Sequence, residues 1–255
     1  MEDKSLGDFC GSVLLSENIW NQEQLLNDLN EEWGIKFSLE DTESDDNTII
    51  SDIEGCRIVI SKFPMPVPNQ EAKINAENNF MWQEAVEVTS THKAHIVVTV
   101  LGDNVDLIER GLIFTKIMAT CTKQKYAIGV FTSGVVFEPK FYEHFAQMMK
   151  EDKLPIFNWI WFGLYETEGR LNCYTYGMDV FGKEEMEVLN ADAQSDDLYA
   201  FMAGFVYYVL DYDITLKEGE TLGFTGEDIH LITRSPGVSL PDDQMTWKIS
   251  YAPMK

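Results

Sequence analysis

Apolar positions fall into short runs whose period changes along the chain. Val13-Leu14-Leu15 reads as a strand, and Ser16 or Asn18 is placed to cap the helix that follows. In that helix Leu25, Leu26, Leu29 and Trp33 recur at helical spacing, and Gly34 ends it. Residues 40–47 form an acidic loop. Thr48–Ile53 and Cys56–Ile60 are β-rich runs around a Glu54-Gly55 hairpin turn. Three prolines at alternate positions, 64, 66 and 68, stop the sheet and force an extended stretch. A helix is expected over about 69–90. Ala94–Leu101 is then nearly continuous in apolar residues, as in a strand buried on both faces.

The resulting order, β-α-β-β-α-β, matches a ferredoxin-like split arrangement and predicts an α+β fold. A similar order follows: a helix over 106–121, strands 127–131 and 135–137 around Thr132-Ser133-Gly134, and a helix over 141–150 with Pro139 near its start. A long aromatic strand is expected over 155–165. These pieces suggest two related α+β units sharing a sheet. The last hundred residues predict a hairpin at Thr167-Glu168-Gly169 and a helix over 196–211 capped by Ser195. Strands at 221–224, 229–232 and 245–251 follow, separated by Pro-Gly and Pro-Asp turns. A ferredoxin-like part over 1–153 and a C-terminal α+β part over 154–255, packed together without a flexible linker, is the expected organisation.

Length and composition agree with a globular chain. Its 255 residues are 45% hydrophobic, enough for one large domain or two small ones. No apolar run reaches membrane-helix length, and the start lacks the features of a signal peptide. A cytoplasmic location is therefore expected. Cys10, Cys56, Cys121 and Cys173 stand singly and are expected as reduced thiols. The formal charge of −24 argues against nucleic acid or an anionic membrane as partner. It suits either solubility or the attraction of a basic protein.

Residues 174–187, Tyr-Thr-Tyr-Gly-Met-Asp-Val-Phe-Gly-Lys-Glu-Glu-Met-Glu, are the most distinctive segment. Gly177 and Gly182 bracket a turn and are expected to supply positive φ. Asp179, Glu184, Glu185 and Glu187 form an acidic cluster. Its spacing does not fit a calcium loop, and it reads as a solvated edge or the rim of a partner site. No phosphate-binding glycine motif or nucleophile elbow occurs. His92 and His95 are low-ranking candidates for a metal or an active site, since further ligands are not evident. Trp159, Trp161 and Tyr165 are read on one strand face with Tyr174 or Tyr176 beside them, as core or as an aromatic patch.

The segment 174–187, together with Val13–Glu17, Pro64–Pro68, Asn79–Trp82 and His92–Val98, resembles a bacterial family known as domain of unknown function 4261. That family implies no activity, cofactor or catalytic residue. The C-terminal block is also loosely similar to immunity proteins of toxin systems. The expectation is a non-enzymatic binding protein for a basic partner, with no cofactor and with contacts through Tyr176, Asp179, Glu185 and Glu187. The alternatives are an enzyme or metal protein built on His92 and His95, and a structural subunit that oligomerises through its aromatic sheet.

Overall fold

The computed structural model describes Gly7 and residues 9–37, 42–102, 104–223, 229–240 and 244–251. The fold is α+β. The chain divides into two compact units, Met1–Trp159 and Ile160–Lys255.

The first unit contains β1 (Phe9–Leu15), α1 (Gln22–Trp33), β2 (Thr42–Ser44), β3 (Thr48–Ile53), β4 (Cys56–Phe63), α2 (Glu71–Ala76) and α3 (Ala85–Thr89). It continues with β5 (Ala94–Leu101), α4 (Leu107–Cys121), β6 (Ala127–Thr132), β7 (Val135–Phe137), α5 (Pro139–Ala146) and α6 (Ile156–Trp159). The sheet order is β2-β3-β4-β5-β1-β6-β7, and every pairing is antiparallel. A ferredoxin-like sheet would place β1 between β4 and β5, parallel to β4. Here β4 pairs directly with β5, and β1 lies on the far side of β5. The intervening segment does not cross over a strand. Its helices pack instead on β6 and β7. The apolar β5 sits between two partners with α4 packed against it, which explains its nearly unbroken run of Ile and Val.

Several local expectations change for identifiable reasons. Asn21, rather than Ser16 or Asn18, caps α1, its side chain accepting from the Gln24 amide at 3.0 Å. Gly34 ends the helix with φ 71°. The acidic loop contains the short edge strand β2; residues 40 and 41 lie outside the described residues. The helix expected over 69–90 is broken into α2 and α3. Asn79 makes the break: its Oδ1 accepts from the amides of Met81 and Trp82, and its Nδ2 donates to the Val136 carbonyl at 2.8 Å. Asn78 donates likewise to the Gly134 carbonyl. The two amides thus cover the open edge of β7, which would otherwise offer unpaired backbone.

The strand expected over 155–165 is also divided. Residues 156–159 form the helical turn α6, and Trp159 donates to the Thr115 hydroxyl at 2.6 Å while Asn158 donates to the Tyr142 carbonyl. Trp159 therefore belongs to the core of the first unit and shares no strand face with Trp161.

The second unit contains β8 (Trp161–Thr167), β9 (Arg170–Tyr176), β10 (Met186–Ala191), α7 (Ser195–Asp211), β11 (Thr221–Leu222), β12 (His230–Pro236) and β13 (Met245–Ile249). Its sheet runs β11-β12-β13-β10-β9-β8, with β10 and β13 parallel. α7 packs on β8 and β9 through a stripe including Leu198, Met202, Phe205 and Val209. Gln194 precedes the helix and Ser195 is its first residue. The expected strand residue Phe224 and the Pro241-Asp242 turn lie outside the described residues.

Candidate functional site

The two histidines are spent on holding the proline-rich segment. His92 Nε2 accepts from the Val67 amide at 2.8 Å, and its Nδ1 donates to the Thr89 carbonyl. This pattern defines a neutral imidazole. His95 Nδ1 donates to the Met65 carbonyl at 2.8 Å, and its ring stacks on Phe63 with centroids 5.2 Å apart. Burial, with the neighbouring His92 adding to it, pushes the His95 pKa below its ordinary value. The pair converges on one strap of backbone. Among the described residues no group of three or more His, Cys, Asp or Glu side chains is arranged to hold a metal.

The distinctive segment folds as a turn between β9 and β10. Gly177, with φ 118°, and Gly182, with φ 69°, flank a single 3-10 turn over Met178–Phe181. Both conformations favour glycine. Two of the four acids around this turn, Glu185 and Glu187, point inward, while Asp179 and Glu184 stay partly exposed, so the expected acidic rim is corrected at the first two. Glu185 is only 2% exposed and Glu187 is fully buried.

Glu185 Oε1 accepts from the amides of Gly177 and Met178 at 2.7 and 3.0 Å, and Oε2 meets the Thr175 hydroxyl at 2.6 Å. Burial outweighs these bonds and raises its pKa to about 7. Glu187 is held differently. It accepts from the amides of Val238 and Ser239 and from the Thr246 hydroxyl, and it pairs with Lys248 at 2.8 Å. Burial alone would raise its pKa. The Lys248 ammonium and the surrounding donors reverse this and hold it below the ordinary carboxylate value.

Lys248 Nζ also donates to the carbonyls of Ser235 and Pro236. The carboxylate thus grips the amides of the 235–239 turn and the ammonium grips its carbonyls. Glu184 makes a bidentate pair with Arg234, and Asp179 accepts from the Val180 amide at 3.0 Å. Tyr176 is half-buried at the end of β9. Of the four contact residues expected from sequence, Glu185 and Glu187 are removed from any surface, and Asp179 is engaged in the turn itself.

Strand register aligns these groups. Gly163, Tyr174, Glu187, Lys248 and Thr233 are successive cross-strand partners on β8, β9, β10, β13 and β12. The Tyr174 ring lies over Gly163, and Tyr165 bonds Ser239 through their hydroxyls at 2.9 Å. Lys248, Thr246, Thr175 and Gly163 were not singled out from sequence. The signal available was the lone lysine inside the strand Met245-Thr-Trp-Lys-Ile249.

Comparison with known families matches the span from Tyr174 to Ser250, which holds most of this row. Residues 174–250 match the family model of a domain of unknown function, DUF4261. The match begins within β9 and runs through β13, so the row from Tyr174 to Lys248 and the turn it grips lie inside the matched span, while Gly163 on β8 lies outside it. No curated protein and no solved structure matches the chain. Neither the row nor the turn presents an open pair of reactive groups: the acids are fastened to backbone or to a cation. The row has the chemistry of a rigid scaffold.

Proposed function

We propose that this chain is a non-enzymatic binding protein of the cytoplasm that captures a basic protein, in the way an immunity protein holds a toxin. The observation that carries this reading is the imbalance of charge left after internal pairing. The chain has 43 acids against 19 lysines and arginines. In the second unit each of the five described cations, Arg170, Lys183, Lys217, Arg234 and Lys248, is already ion-paired. Exposed acids remain, including Glu166, Glu168, Asp196, Asp197 and Glu218. Such a surface attracts a cationic partner over several ångströms and speeds encounter.

The test is capture of a partner by the immobilised chain, followed by titration of the purified pair between about 50 and about 300 mM NaCl. A stoichiometric basic protein whose affinity falls steeply with salt is the expected result. A partner of neutral or acidic charge, or an affinity indifferent to salt, removes the basis of the proposal.

A further inference from the structure

We propose that a cleft on the C-terminal half of α7 receives a lysine or arginine side chain of the basic partner. This inference rests on the binding reading above and gives it a place on the molecule. The cleft has a volume of about 410 Å³ and is lined by Gly204, Phe205, Tyr207, Tyr208, Tyr212 and Leu222. That size is within the range of small-ligand sites. Gly204, Tyr208 and Tyr212 follow one another at four-residue spacing, so they lie along one stripe of the helix. Where Gly204 lacks a side chain the stripe is hollow, and the two tyrosine rings stand beyond it with centroids 5.3 Å apart. Tyr208 is 37% exposed and Tyr212 is 66% exposed. Two large aromatic side chains are therefore left open to solvent beside a cavity.

Three electrostatic observations select a cation as occupant. Aromatic faces attract ammonium and guanidinium groups through the ring quadrupole. The helix has 17 residues, and its last turn contains no basic side chain. The partial negative charge of its C-terminal carbonyls is thus not offset by the helix itself. Asp211 and Asp213 flank Tyr212, and Glu218 and Glu220 follow in the next loop. Among the described residues no cation lines the cleft, and Lys183 and Lys217 are engaged with Asp213 and Glu220. An anion would meet carbonyl ends and acids at the same place. A lysine or arginine has an apolar stem to lie against Leu222 and a charge to place among the rings.

The probe is an acetylated, amidated hexalysine peptide, titrated by calorimetry into the full-length chain at low salt. Tyr208→Ala and Tyr212→Ala are each expected to weaken binding about threefold to tenfold, while Tyr208→Phe and Tyr212→Phe retain it because the ring faces remain. Thermal melts by circular dichroism check that each variant folds. On the wild-type chain, amide shifts in an NMR titration are expected at Gly204, Tyr208, Tyr212 and Gly223. Equal affinity for the alanine variants, or shifts confined to other surfaces, overturns the cleft as the site and leaves the capture of a basic protein standing. Failure of hexalysine to bind the wild type overturns the cleft as well. The binding reading itself falls only if the salt-titrated capture also fails.

Discussion

Glu185 and Glu187 are the same residue type two positions apart, and their surroundings drive them in opposite directions. Glu185 is buried against hydroxyl and amide donors with no cation, so it holds a proton up to about pH 7. Its folded pKa lies above its unfolded value. Its contribution to stability is therefore full below about pH 4.5 and is lost as pH rises through about 7. Glu185→Gln keeps the shape and removes the titration. Relative to that variant, the wild type is expected to lose about 3 kcal/mol of stability between pH 4.5 and 8, read by urea denaturation. The comparison with the variant matters, because His95 acts in the other direction. Its lowered pKa makes stability fall as pH drops below about 6.5. A difference curve that stays flat would mean that Glu185 is ionised throughout.

Lys248 is the counterpart that Glu185 lacks. Lys248→Met leaves the Glu187 carboxylate buried without its cation and frees two carbonyls of the 235–239 turn. The expected cost is about 3–5 kcal/mol in urea denaturation. A loss below about 1 kcal/mol would show that water reaches the pair. The acids of this segment are conspicuous in the sequence, but their orientation is not. A run of carboxylates is normally solvated, and only the turn amides and Lys248, brought from 61 residues beyond Glu187, make burial tolerable.

Among the elements, the hairpins were legible. Glu54-Gly55, Ser133-Gly134 and Glu168-Gly169 each have positive φ at both positions and join antiparallel strands through two-residue turns. The information is local, since few residue pairs accept that geometry. The helix over 69–90 and the strand over 155–165 failed for the converse reason. Asn79 and Trp159 each take a hydrogen-bond partner distant in sequence, and that partner ends the local pattern. The pairing of Gly163 with Tyr174 is another long-range dependence. A Cβ at Gly163 would stand 2.1 Å from the Tyr174 ring. Gly163→Ala is expected to destabilise the second unit by about 1–3 kcal/mol, measured by thermal or urea unfolding. Adding Tyr174→Val should restore part of the loss. If Gly163→Ala is neutral on its own, the ring does not rest on the glycine.

For the molecule as a whole, charge and element content carry different information. The net charge of −24 depends on composition alone and survives any folding, so the expectation of a salt-sensitive, basic partner does not depend on strand order. Which acids face that partner does depend on the fold. Burial of Glu185 and Glu187 turns attention from the distinctive segment to the tyrosine cleft of α7, a helix expected from sequence without a role for its tyrosines. What the amino-acid sequence determined by itself was the α+β class, the glycine turns, the likeness of the 174–187 segment to DUF4261 and the acidity of the chain, because each depends on residue type and near neighbours. The tertiary structure alone decided that β4 pairs with β5 rather than β1, that the histidines bind backbone, and that Glu187 meets Lys248. Those outcomes depend on contacts between residues far apart in the chain, where burial and pairing outweigh local propensity.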